Sequence, residues 1–405
     1  MRVLITPMPW PSHYYQMVGV VWALVAAGHE VRVAGQPALF DAVTGTGITA
    51  VAAGGGYDIM TGVAEMVQER QKVDQQPNMI GEGVFTPEDK ARLLKIRMIP
   101  HIRLAQDAAE DLVAFARAWR PDVVITDPLV YAAPLAAAAV GAPVVRHLWG
   151  PDLARHIGLP GSGLSEEEDP RAVWPEEMVE LYSRYGAKPQ PDFAVLTLDN
   201  CPDSLQLAGV PNRVAMRYVS YNGSMVAPPW VLEPADRPRV CVTWGSSTGQ
   251  LLGEDVFMVP QILEALSPFD VEAVVAVRPE DRSRVPDDYD WVRVVENVPL
   301  NLFLPTCHAI VHGSSGGAAL TSAMYGLPQL VLPHVGGEGI IYDQLTAVGA
   351  GIGLKQDESS VEAIRQAADA VLHDDKPREA ARRLQREMLS QPPPSEIIST
   401  LEELV

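Results

Sequence analysis

Cysteine is scarce in this sequence: Cys201, Cys241 and Cys307 are the only three in 405 residues, far apart and without paired spacing. A disulfide framework or a zinc site needs such residues at short intervals, so neither is expected, and three buried free thiols are. Basic residues are also short, 31 Lys+Arg against 51 Asp+Glu, for a formal charge of -20 and a pI near 4.8. That field repels polyanions. It argues against nucleic acid or an anionic membrane surface as partner, and requires any anionic ligand to be held by local features. No stretch offers the roughly twenty uninterrupted apolar residues of a membrane span. The opening "MRVLITPMPW" lacks the charge and cleavage pattern of a signal peptide, so a soluble, cytoplasmic protein is expected. Missing too are a GxGxxG after the first strand and a Walker GxxxxGK, the loops with which dehydrogenases and P-loop NTPases hold nucleotides.

What is present is ordinary globular material, 47% hydrophobic and 20% charged, in a chain too long for one comfortable core, so two domains are expected. "MRVLITP" reads as a strand, "YYQMVGVVWALVAAG" as a buried helix closed by Gly28, and "HEVRVAG" as the next strand. The alternation continues through a helix at 101–118, a strand at 122–127, a helix at 131–140 and a strand at 143–148, which predicts a parallel sheet with helices on both faces. Between Gly54 and Pro100, and again over 153–190, the pattern loosens into segments read as surface insertions or binding lids. "SYNGSMVAPPWVLEPADRPR", rich in proline and without periodicity, reads as a linker, after which "VCVTWG", "VEAVVAV", "WVRVVENV", "HAIVHG", "QLVLP" and "GIGLK" restart the strand pattern. The expected fold is α/β, two doubly wound Rossmann-like parallel-sheet domains: 1–219, a linker at 220–238, 239–389, and a terminal helix in 390–405 packing back on the first domain.

In open parallel sheets ligands sit beyond the carboxyl ends of strands. His13 follows the first strand and Asp127 ends another strand of the same sheet. A carboxylate behind an imidazole makes a general base, and the competing reading of His13 is a helix-start residue. In the second half, "HAIVHGSSGGAALTSAMYG" reads as strand, loop and helix. Ser314 and Ser315 are candidate caps, Gly316 and Gly317 allow close backbone approach, and His312 is a candidate donor. Such a turn can hold a diphosphate, although tight packing also explains one. Ser246 and Ser247, after the first strand of that half, add hydroxyls.

"PMPWPSHYYQMVGVVWALVAAGHEVRVA", "HLWGPD", "RYVSYNG", "VENVPLNLFLPTCHAIVHG" and "GLPQLVLP" are ordered along nearly the whole chain. In them the sequence resembles the antibiotic-type glycosyltransferases that move TDP-activated deoxysugars onto polyketide aglycones. The resemblance implies a GT-B architecture, with an N-terminal acceptor domain and a C-terminal donor domain across a cleft. It also implies that His13, helped by Asp127, deprotonates the acceptor, that the donor base lies near Val298, and that the diphosphate lies near His312 and the 314–317 loop. Displacement would be in line and inverting. No cofactor is implied, since the TDP-sugar is a co-substrate, and no metal, since helix amides and His312 offset the leaving charge. Trp10, Tyr14, Tyr57, Met60, Met79 and Phe85 are candidates to line a bulky apolar, polyketide-type acceptor site, with ordinary core as the alternative. The resemblance leaves room for a homodimer and for an auxiliary activator protein, and the residues decide neither.

The chain also departs from the family. Gly313 stands where a second histidine is common, and Ala318 removes a hydroxyl that could meet phosphate. Gln16 and Ser12 differ from the usual proline and glycine. Counting from Pro333 and back from Gly349, the family's sugar-binding Asp-Gln pair falls on Gly337 and Glu338, leaving Asp343 and Gln344 on a solvated helix face; the competing register is a loop insertion that keeps Asp343 and Gln344 as the pair. Glu338 favours an ammonium over a neutral hydroxyl, which points to an aminodeoxysugar donor. The alternative is a helix-start glutamate placed by the dipole. Rival functions are a sugar-nucleotide epimerase or hydrolase on the same fold, and a non-catalytic auxiliary homologue.

Overall fold

Short β-branched runs become parallel ladders wherever both faces are covered. The computed structural model describes residues 1–73, 87–165, 167–169, 172–244, 257–333 and 339–405. Two units divide the chain: Met1–Asn200 with Leu207–Met216 and Pro392–Val405, and Cys201–Gln206 with Arg217–Gln391.

The first unit is built on β1 (Arg2–Thr6), β2 (Glu30–Gly35), β3 (Thr49–Ala52), β4 (Val123–Thr126), β5 (Val144–His147), β6 (Ala194–Asp199) and β7 (Arg213–Ala215), in the order β3-β2-β1-β4-β5-β6-β7. Every ladder is parallel. Leu4 and Ile5 of β1 lie opposite Val124 and Ile125 of β4. All four are buried, each side chain contributing about 1.5–3 kcal/mol. The helices are α1 (Pro11–Ala26), α2 (Phe40–Thr44), α3 (Ile59–Val73), α4 (Pro87–Trp119), α5 (Ala133–Ala138), α6 (Leu153–His156) and α7 (Glu176–Arg184).

One helix corrects the sequence reading. α4 starts at Pro87 instead of 101 and runs 33 residues with Pro100 inside it. A proline removes one helical N–H and normally ends a helix. Here Leu94 and Met98 before it and Ile102, Ala105 and Ala109 after it enter one core cluster, so tertiary packing carries the helix through.

The second unit orders β8 (Arg239–Thr243), β9 (Glu272–Val277), β10 (Val292–Glu296), β11 (Ala309–His312), β12 (Gln329–Val331) and β13 (Gly351–Gly353) as β10-β9-β8-β11-β12-β13, again all parallel. Part of the proline-rich stretch ahead of β8 is anchored: the guanidinium groups of Arg239 and Arg293 lie 5.4 and 5.1 Å from the Trp230 ring centroid. The terminal helix Pro394–Glu402 belongs to the first unit, where Glu402 meets His29 at 3.1 Å. None of the three cysteines is in a disulfide, and all three are buried. Among the described residues no helix is long and apolar enough to cross a membrane.

In each sheet the strand order reverses once, between β1 and β4 and between β8 and β11. Loops leaving two such neighbours diverge and open a crevice at the carboxyl edge.

Candidate active site

At the first reversal, one loop delivers His13 in the opening turn of α1, which begins at Pro11, and the other delivers Asp127 directly after β4. His13 Nδ1 donates to Asp127 Oδ2 at 2.6 Å, while Oδ1 accepts the Leu129 N–H at 2.9 Å. The carboxylate is closed to solvent and the imidazole keeps 13% of its surface. A carboxylate only accepts, so the ring proton is held on Nδ1 and Nε2 carries a free lone pair. Trp10 and Trp149 flank the ring, with centroids 5.4 and 4.9 Å away.

Two further imidazoles feel the Asp127 charge. His147, the last residue of β5, and His101, on α4, are both lowered to about 4, chiefly by burial. Near neutral pH both are uncharged, and the Asp127 hydrogen bond goes to His13. This arrangement can take a proton at one exposed nitrogen and hold the resulting imidazolium against a buried carboxylate.

The expected acceptor residues separate. Trp10 sits beside His13, and Tyr57 and Met60 are part-exposed, with Tyr57 tied through its carbonyl to Gln36 Nε2 at 2.8 Å. Burial raises the Tyr57 phenol to about 12. Tyr14 corrects the expectation: it is fully buried and its hydroxyl meets Thr46 Oγ1 at 2.6 Å, so it is a core residue of α1. Met79 and Phe85 lie outside the described residues. Sequence reasoning passed over Trp149 and His101. The signal for Trp149 was its place in "HLWGPD", just past a strand end. His101 was hidden behind Pro100, read as a helix boundary.

At the second reversal, β11 ends in His312, also fully buried. Its Nε2 meets Gln329 Oε1 at 2.9 Å, Gln329 Nε2 donates to the Ala319 carbonyl at 3.1 Å, and the Ser314 N–H donates to His312 Nδ1 at 3.2 Å. The ring is therefore neutral, with Nδ1 accepting and Nε2–H donating, and burial lowers it to about 4. This corrects its expected role: both nitrogens are used inside the unit, and His312 shapes the loop instead of presenting a donor. Ser314 takes a φ of 70°, left-handed backbone that costs a non-glycine residue about 1–2 kcal/mol and is held here by the His312 bond. Ser315 then caps the helix Gly316–Met324 without a side-chain cap bond. The first intrahelical N–H is that of Ala319, to the Ser315 carbonyl at 2.9 Å, so the amides of Gly316, Gly317 and Ala318 precede any helical partner. Ser315, Gly316 and Gly317 are part-exposed. Val298 is part-buried and packs in an apolar cluster with Phe303.

Ser246, Ser247, Gly337 and Glu338 fall outside the described residues. Asp343 and Gln344 lie in the helix Gly339–Ala347, the former exposed and the latter part-exposed.

Comparison with known proteins covers both units. Residues 22–245 match the family "Erythromycin biosynthesis protein CIII-like, N-terminal domain", and residues 260–404 match its C-terminal domain. The chain is 37% identical to 10-deoxymethynolide desosaminyltransferase of Streptomyces venezuelae, over 100% of this chain and 97% of that protein. It is 35% identical to tylactone mycaminosyltransferase of Streptomyces fradiae, over 100% and 92%. The solved structure of glycosyltransferase VinC in complex with dTDP matches at a TM-score of 0.81 and 30% identity, over 100% of this chain and 99% of that one. With both halves matched and relatives aligned end to end, the chain belongs to the erythromycin biosynthesis protein CIII-like family of glycosyltransferases, with two parallel-sheet α/β domains.

Proposed function

We propose that this enzyme moves a deoxysugar from a TDP-sugar to a hydroxyl of a polyketide-type aglycone, with inversion at the anomeric carbon. The single observation that carries the reading is the His13 Nδ1–Asp127 Oδ2 bond of 2.6 Å at the sheet reversal. As the acceptor oxygen attacks the anomeric carbon, its proton passes to His13 Nε2. The carbon–oxygen bond to the diphosphate breaks in the same displacement, and TDP leaves with the electron pair. Asp127 stabilises the imidazolium. The leaving charge goes to the free amides at the start of the helix Gly316–Met324, where the helix dipole favours an anion. In a chain of net charge -20 such local features outweigh the unfavourable global field. These amides also support transfer without a metal, so turnover should be the same with and without EDTA.

For the donor we propose a sugar poor in ring hydroxyls and bearing an amino group. The support is the register that puts Gly337 and Glu338 at the sugar-binding positions, together with relatives named for desosaminyl and mycaminosyl transfer. The test is TDP release from a donor panel, with and without a macrolactone acceptor. Release that requires the acceptor, and is faster from a TDP-aminodeoxyhexose than from TDP-glucose, is the expected result. Release without acceptor would make the chain a hydrolase, and equal use of both donors would remove the amino-sugar reading. His13→Ala should cost about 10²–10⁴-fold in kcat, and an unchanged rate would remove the base.

A further inference from the structure

His101 has no part in the chemistry above, yet it stands beside it. On α4 it follows Pro100, and its ring lies against Tyr131 with centroids 6.0 Å apart. Tyr131 belongs to the loop that carries Asp127. That loop is pinned by the Tyr131 hydroxyl, which donates to the Pro160 carbonyl at 3.1 Å, and by the Tyr131 carbonyl, which accepts from the Tyr182 hydroxyl at 2.8 Å. Asp127 and His13 both act on His101 through space, with opposite effects on its proton affinity. The Tyr131 hydroxyl and carbonyl are hydrogen-bonded, whereas Nδ1 of His101 is enclosed with no partner, as are both ring nitrogens of His147, although His101 keeps part of its surface exposed.

A neutral imidazole carries one N–H. An orphaned N–H is harder to bury than a bare acceptor, so the proton belongs on Nε2 and the enclosed Nδ1 is left as the lone pair. We infer that His101 is a specificity-determining residue on the acceptor side: its Nε2–H donates to a carbonyl or hydroxyl oxygen of the aglycone and turns the reacting hydroxyl toward His13. The inference rests on the reading of His13 as the base. Burial keeps the ring uncharged across the working range, so it orients a neutral oxygen and does not compete for the acceptor proton.

The test uses the full chain, a TDP-aminodeoxyhexose and 10-deoxymethynolide as the acceptor probe, with His13→Ala assayed first. His101→Phe keeps a ring and removes the donor, while His101→Gln keeps an N–H. The expected result is an acceptor KM raised about tenfold in His101→Phe, as for one lost hydrogen bond. Donor KM and the pH profile of kcat/KM stay unmoved, and His101→Gln recovers part of the loss. A wild-type acceptor KM in His101→Phe overturns the inference, and so does equal loss in both variants, which would mark a packing role. The imidazole ¹⁵N spectrum at neutral pH needs no turnover: an Nε2–H tautomer supports the proposal and an Nδ1–H tautomer overturns it. If His13→Ala retains full turnover, the base reading fails instead, a result separate from any of these.

Discussion

Asp127 controls His13 through what a carboxylate can and cannot do: it accepts and never donates, so the ring nitrogen facing it must carry the proton. Asp127→Asn keeps size and shape but offers an N–H to the ring, which reverses the tautomer and places a proton on Nε2. We expect kcat to fall about 10²–10⁴-fold with little change in thermal stability, and a fall under about tenfold would contradict the assignment. Gln329 is the corresponding residue of the second unit, joined to both His312 and the Ala319 carbonyl. Gln329→Leu strands both partners in the interior and should destabilise the fold by about 1–3 kcal/mol, read as a lower urea midpoint. The His13–Asp127 pair was legible in the sequence because Asp127 directly follows one recognisable strand and His13 opens the helix that follows another. The inward role of His312 and the core place of Tyr14 were not, because a strand-end histidine and a helix-start tyrosine look the same in sequence whether the side chain turns in or out.

At the scale of elements, the strands of the second unit were readable from their β-branched runs, as in "VEAVVAV" of β9. Strand β3, "TAVA", lies at the sheet edge with no fully buried residue and gives almost no pattern to read. The α3–α4 pair was missed for a different reason, since Pro100 reads locally as a break and only the shared core carries α4 past it. That pair is tightly fitted at Gly62, where an added Cβ would lie 1.6 Å from the Tyr57 hydroxyl and 2.9 Å from the Pro100 Cα. Backbone on one side cannot yield, so Gly62→Ala should cost about 1–3 kcal/mol as overpacking and displace Tyr57. A thermal melt checks the first effect, and acceptor KM checks the second. An unchanged melting temperature would show that the helices separate freely.

For the whole molecule, three buried imidazoles make stability depend on pH. His101 and His147 in the first unit and His312 in the second each fall from 6.5 to about 4 on folding. Between those values the unfolded chain binds more protons than the folded one. The stabilisation is therefore fully present above pH 6.5 and is lost as pH falls toward about 4, at about 1.4 kcal/mol per pH unit for each group. Urea midpoints at pH 7.5 and pH 5 in 1 M salt, which screens the self-repulsion of a chain of charge -20, should show the loss. A midpoint that rises on acidification would contradict it. Sequence by itself determined the two-domain α/β class, the acidic field, the places of His13 and Asp127 at strand-exit loops, and the Gly/Ser turn before the helix Gly316–Met324. Strand runs, turn residues and charge are local properties, and they survive in one dimension. Only the tertiary structure decided that α4 runs through its proline, that Tyr14 and His312 face inward, and that His101 comes within electrostatic reach of His13, 88 positions away in sequence. Burial and proximity come from packing between distant segments, and no single stretch of chain contains them.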